Sequence, residues 1–167
     1  PGAPVGLDEC VASLHTVIDD IMREHGLSST RVLLGGFSQG GAAALAAGLA
    51  YPRPLGGLIA ISSWLPRRAP SAPLMIHPAN LRTPIHFSCG TGDPVVDFRL
   101  AKQSAEMLRQ ARPVGLHVHR EQRACHPAKR AELELAMGFM EECLASITHS
   151  APPAHDGSAP PAHDGSA

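Results

Sequence analysis

The seven residues Gly35-Gly36-Phe37-Ser38-Gln39-Gly40-Gly41 constrain this chain more than any other stretch. An apolar run, Arg31-Val32-Leu33-Leu34, precedes them, and an alanine-rich run from Ala42 to Ala50 follows. Within them, Gly36-Phe37-Ser38-Gln39-Gly40 fits G-x-S-x-G, a strand–turn–helix elbow that exposes a nucleophilic serine at a sheet's C-terminal edge. A nucleophile there sits in a strained backbone conformation, so the residues two before and two after it must be small. Gly36 and Gly40 are expected to supply that clearance. The Gln39 N–H then opens the following helix and points to where an oxyanion would form. A phosphate-binding loop fits less well, because no Gly-Lys-Ser/Thr follows.

At 167 residues the chain suits one domain with a real core. Its 44% hydrophobic and 17% charged content is that of an ordinary globular protein. A formal net charge of −1 leaves no basic footprint for nucleic acid. Cys10, Cys89, Cys125 and Cys143 form no C-x-x-C pair, which argues against a zinc site or disulfide framework. It suits a reducing compartment, and a cytoplasmic location is expected. No stretch approaches the ~18 apolar residues of a membrane span, and no metal or cofactor is expected.

Along the chain, Val11, Leu14, Ile18, Ile21 and Met22 recur at helical spacing from Asp8 to His25, with Asp8 as the expected N-cap and Gly26 as the stop. A strand is expected from Arg31 to Phe37, then a helix from Gln39 to about Leu49, ending before Pro52 and Pro54. Leu55 to Ser62 reads as a strand buried on both faces. Arg67 to Asn80 is a proline-rich loop without clear period. A strand from Pro84 to Cys89 leads into Gly90-Thr91-Gly92-Asp93-Pro94, and a helix from Asp97 to Gln110 follows. A strand from Val114 to Glu121 and a helix from about Ala128 to Ile147, carrying Leu133, Leu135, Met137, Met140, Cys143 and Leu144, complete the series. Alternating strands and helices imply an α/β fold: about four parallel strands with flanking helices, three layers deep in αβα order. Residues 1–149 read as this catalytic domain. Residues 150–167, where Ala-Pro-Pro-Ala-His-Asp-Gly-Ser occurs twice, read as a disordered tail. His155 and His163 in the tail read as solvated residues rather than metal ligands.

In a parallel sheet, chemistry belongs at the C-terminal ends of the strands, and Ser38, Asp93 and His126 all fall there. A serine hydroxyl needs a base, and the base needs a carboxylate to fix its tautomer. Asp93 sits in a Gly-x-Gly-Asp-Pro turn after the third strand. Asp97, its nearest competitor, sits where a helix should start and suits an N-cap. His126 lies between the last strand and the last helix, whereas His86, His117 and His119 fall within strands. The order Ser38, Asp93, His126 is that of α/β-hydrolases.

These residues resemble the acyl-protein thioesterase/carboxylesterase (lysophospholipase-like) branch of the α/β-hydrolases. The resemblance rests on Arg31 to Gly41, on Leu58-Ile59-Ala60-Ile61-Ser62-Ser63-Trp64-Leu65-Pro66, and on Gly90-Thr91-Gly92-Asp93-Pro94-Val95-Val96, and extends roughly from Asp8 to Ile147. It implies a partial α/β-hydrolase fold, with Ser38 as nucleophile, Asp93 as acid and His126 as base. It also implies that Trp64 and Leu65 help line an acyl-chain groove. Implied substrates are S-acylated proteins, lysophospholipids or small carboxylic esters, with transient contact at a membrane surface.

Two departures from the family pattern stand out. Members carry, before the first helix read here, strands and a His-Gly-x-Gly-like loop that supplies a second oxyanion N–H. The chain is expected to be N-terminally truncated relative to them. Loss of one such donor costs ~10²–10³ in rate, and the strand from Arg31 to Phe37 is expected to present an open apolar edge. Around the base, Gln122-Arg123-Ala124-Cys125-His126-Pro127 replaces a Gly-Met-x-His-like approach. Two readings follow: a serine esterase or thioesterase acting through Ser38, Asp93 and His126, or an impaired relative that acts by binding.

Overall fold

A computed structural model describes residues 6–67, 74–111, 116–121 and 130–149. Four strands, β1 (Leu33–Phe37), β2 (Gly57–Ile61), β3 (Ile85–Gly90) and β4 (Leu116–Glu121), form one sheet in sequence order, with every pairing parallel. The helices α1 (Leu7–His25), α2 (Gln39–Ala50), α3 (Phe98–Ala111) and α4 (Arg130–His149) surround it. The expected α/β, three-layer arrangement is therefore the one observed.

The larger core lies between the sheet and α1, α2 and α3. There Ile18, Met22, Leu45, Leu49, Leu58, Ile85, Phe87 and Leu108 pack together. The alanine and glycine content of α2 lets it lie directly on the sheet: a Cβ on Gly48 would come within 2.2 Å of the Leu58 side chain. On the opposite face, Ala136, Phe139 and Cys143 of α4 cover Ile59 and Ile61. Both β2 and β3 are buried at every position, which explains why β2 is apolar throughout, while β3 also buries His86 and Ser88. β1, at the sheet's edge among the described residues, is only partly covered.

Element ends differ from the sequence expectation for local reasons. Gly6, not Asp8, caps α1, with φ 80, and Asp8 falls in its first turn. Gly26 ends the helix in the left-handed region, as expected. Ser29–Arg31 turn as a short 3₁₀ segment, so β1 begins at Leu33 rather than Arg31. The loop before β3 holds a 3₁₀ turn at Pro78–Asn80. On α4 the buried face is Glu132, Ala136, Phe139 and Cys143, while Leu133, Leu135, Met137, Met140 and Leu144 are exposed. Of the apolar residues read there in the sequence, only Cys143 is core.

Two polar clusters tie the elements. Buried Asn80 accepts from the Leu55 N–H (3.0 Å) and Thr83 hydroxyl (2.7 Å), and donates to the Tyr51 (2.7 Å) and Arg53 (3.0 Å) carbonyls. On α1, Asp19 accepts from the Tyr51 hydroxyl and from Arg53. The Tyr51 bond, with help from Arg53, holds the Asp19 carboxyl below its usual range. Cys10 is an exposed free thiol. Cys89 and Cys143 are buried and in no disulfide, and burial raises the Cys143 thiol. The tail from residue 150 lies outside the described residues.

Candidate active site

The elbow forms where β1 hands over to α2. Ser38 adopts φ 53, ψ −121, a left-side conformation that costs a non-glycine residue about 1–3 kcal/mol. Three bonds hold it there. Its N–H donates to the Ile61 carbonyl (2.9 Å), and its carbonyl accepts from the Ala42 N–H (3.2 Å) and the Ser63 hydroxyl (2.8 Å).

The clearance is distributed differently from the expectation. A Cβ on Gly36 would lie 2.3 Å from the Gly40 carbonyl carbon and 2.6 Å from the Gly41 nitrogen. One on Gly41 would lie 2.8 Å from the Gly36 carbonyl oxygen and from Ser63. A Cβ on Gly40 would meet nothing within 4 Å. Gly36 and Gly41 thus provide the close approach, and Gly40 contributes only its backbone. Ser63, fully buried at the C-terminal end of β2, is a positioning residue that sequence reasoning passed over. Its place in the segment Leu58 to Pro66, which carries the family resemblance, was the available signal.

Gln39 is the first residue of α2 and is exposed, so its N–H belongs to the first turn, where helix amides have no partner within the helix. Its side lines a cavity of about 340 Å³ together with Gly40, Ala43, Trp64, Pro66 and Cys10. Trp64 is half-buried on this wall. Leu65 points elsewhere: it is buried in the main core, its N–H donating to the Ser104 hydroxyl (2.9 Å). Leu65 also lines a second hollow between α1 and α2, with Leu7, Leu49 and Met75. The contribution of α1 to the first cavity, through Gly6, Leu7 and Cys10, had no signal in the sequence, because only the fold brings it to the elbow.

Asp93 follows β3 at the same sheet edge, partly buried. Its Oδ1 accepts from the Val95 (2.8 Å) and Val96 (3.0 Å) N–H groups, which fixes the carboxylate against its turn. Asp97 accepts from the Arg99 N–H (2.8 Å) and opens α3, the capping role expected of it. His126 lies outside the described residues, which stop at Glu121 and resume at Arg130. The strand histidines sit away from the elbow. His86 and His117 are register partners within the sheet, and both rings pack on Phe139 of α4, at 5.6 and 5.5 Å. Among the described residues no cluster of His, Cys, Asp or Glu is arranged to hold a metal. No helix among them is long and apolar enough to cross a membrane.

Known proteins share this sequence and fold. Residues 5–144 match the phospholipase/carboxylesterase family. Acyl-protein thioesterase 1 of Debaryomyces hansenii is 32% identical over 139 residues, covering 83% of this chain and 60% of that protein. The counterpart in Gibberella zeae is 43% identical over 88 residues, or 52% of this chain and 37% of that protein. Among solved structures, Arabidopsis thaliana SOBER1 superposes with a TM-score of 0.78 at 30% identity, over 86% of this chain and 67% of that one. Zea mays acyl-protein thioesterase 2, at 19% identity and a TM-score of 0.63, shares the fold. The chain thus spans about 60% of the length of the thioesterase it matches over the greater part of its own. With a matched segment that runs from the start of α1 into the last turns of α4, this chain belongs to the phospholipase/carboxylesterase family.

Proposed function

We propose that this chain is a serine hydrolase that cleaves acyl thioesters or carboxylic esters through Ser38, His126 and Asp93. The observation that carries the reading is the Ser38 conformation, φ 53 and ψ −121, at the turn from a parallel strand into a helix. A serine is held in such a state only where the surrounding structure enforces it, and such strain clusters at active sites. Asp93 at the same sheet edge supports it, as does the cavity beside Gln39 and Trp64.

In this reading, the Ser38 hydroxyl oxygen attacks the acyl carbonyl carbon while His126 takes its proton. Asp93 holds the imidazole in the required tautomer. Negative charge gathers on the carbonyl oxygen, and the Gln39 N–H at the α2 N-terminus stabilises it. The C–S or C–O bond then breaks, and His126 protonates the departing thiol or alcohol. Water, deprotonated by His126, attacks the Ser38 acyl ester, and the carboxylic acid leaves. The cavity receives the acyl portion, with Trp64 as its apolar wall. S-acylated proteins, lysophospholipids and small acyl esters are the substrates of this reading.

Hydrolysis of a medium-chain acyl thioester by the purified chain tests it. Ser38→Ala and His126→Ala should each lower kcat/KM by at least ~10³, and Asp93→Asn by about as much, since residues that act as one unit lose activity together. Turnover that survives Ser38→Ala would overturn the proposal.

A further inference from the structure

Among the described residues, two that are not glycine adopt a positive φ: Ser38, with φ 53, and Ser62, with φ 47. The first is the elbow. The second is the residue that follows β2, and it is only 2% exposed. A residue with a Cβ is strained in this left-handed conformation, whereas glycine adopts it freely. A bend alone would be made best by glycine. A serine at such a place implies a use for its side chain.

The polar groups around Ser62 are engaged within the fold. The Ser62 N–H donates to the Ser88 carbonyl (3.0 Å), the Ser63 hydroxyl to the Ser38 carbonyl (2.8 Å), and the Leu65 N–H to the Ser104 hydroxyl (2.9 Å). The Ser62 hydroxyl makes no hydrogen bond among the described residues. A buried hydroxyl left so is costly, unless a further group reaches it when the site works.

The sheet register shows where that group would stand. Phe37 pairs with Ile61 and Ile61 with Ser88, so one step further on Ser38, Ser62 and Cys89 lie level across β1, β2 and β3. Neighbouring strands are about 4.8 Å apart, which sets Ser38 and the end of β3 roughly 10 Å from each other, with Ser62 midway. Asp93 follows the end of β3. An imidazole bonded through one nitrogen to Asp93 and through the other to Ser38 spans about this gap, and so crosses above the end of β2.

We infer, on the reading of Ser38, His126 and Asp93 proposed above, that Ser62 is a positioning residue for the base, its hydroxyl oxygen supporting the imidazole from the sheet side. With both ring nitrogens engaged, the C–H between them is the ring's remaining polarised group. It grows more positive as the ring takes the Ser38 proton, and the Ser62 oxygen accepts it in a weak hydrogen bond. The contact is strongest when the ring is charged, so it favours the transition state over the ground state. Ser62 makes no bond to the substrate in this scheme, so substrate affinity does not depend on it.

Two substitutions separate the bend from the hydroxyl. Ser62→Gly removes the hydroxyl and relieves the strain, while Ser62→Ala removes the hydroxyl and keeps the Cβ. Both should lower kcat for an acyl thioester about fivefold, the upper range for such a bond, with KM unchanged. Fluorophosphonate labelling of Ser38, which needs the base but no hydrolytic water, should slow by the same factor. Thermal unfolding should show Ser62→Gly at least as stable as the parent, so that activity falls without a loss of fold. Parent-level kcat in either variant would overturn the inference and leave the hydrolase reading intact. So would slower turnover with unchanged labelling, which would put the hydroxyl on the hydrolytic water, or a raised KM at unchanged kcat, which would put it on the substrate. A parent without turnover would overturn the hydrolase reading and this inference together.

Discussion

Gly36 and Gly40 occupy equivalent places in the G-x-S-x-G pattern, yet their surroundings differ. A side chain at Gly36 collides with the backbone of Gly40 and Gly41, which cannot move without unwinding the first turn of α2. Gly36→Ala should destabilise the fold by about 3 kcal/mol, at the upper end of overpacking costs. Gly40 faces open space at ordinary helical φ, so Gly40→Ala should be neutral or stabilise by about 0.5 kcal/mol. Urea unfolding midpoints of the two variants check this, and equal losses would contradict it. The pattern located the serine correctly at the turn, but it could not say which glycine bears the contact. That depends on how closely α2 folds back over β1, and on Ser63, 25 residues later, filling the space beside Gly41.

At the scale of elements, periodicity and alternation recovered α1, α2, α3 and all four strands to within two or three residues. α1 and α3 carry a helical stripe, and β2 is a doubly buried apolar run. α4 was found as an element, but its face was not. Its sequence carries apolar residues on two flanks, and only the sheet decides that Ala136, Phe139 and Cys143 go inward. The proline-rich loop before β3 hid Asn80 entirely. This side chain satisfies the Leu55 N–H and the Tyr51 and Arg53 carbonyls, all more than 20 residues away, so no local pattern marks it. Asn80→Ala leaves those groups buried without their partner and should cost about 3 kcal/mol. Thermal or urea denaturation would show the loss. A change below about 0.5 kcal/mol would mean that other groups take over the bonds.

For the whole molecule, the parallel sheet brings Ser38 and Asp93 to one edge, and that convergence was legible because strand ends can be counted in a sequence. The cavity beside the elbow was legible only in Trp64. Its other wall, the start of α1, arrives through packing of α1 on α2, which includes the His15 Nε2 contact with the Ala47 carbonyl at 2.8 Å. Leu65, grouped with Trp64 by the family resemblance, is buried in the main core and lines the second hollow. The proposed reaction requires Ser38 to be an activated nucleophile. Labelling of the purified chain with a fluorophosphonate probe tests that most directly. The expected result is stoichiometric labelling of the parent on Ser38 and none of a folded Ser38→Ala variant. A folded parent that stays unlabelled, or a label that persists in Ser38→Ala, would contradict it.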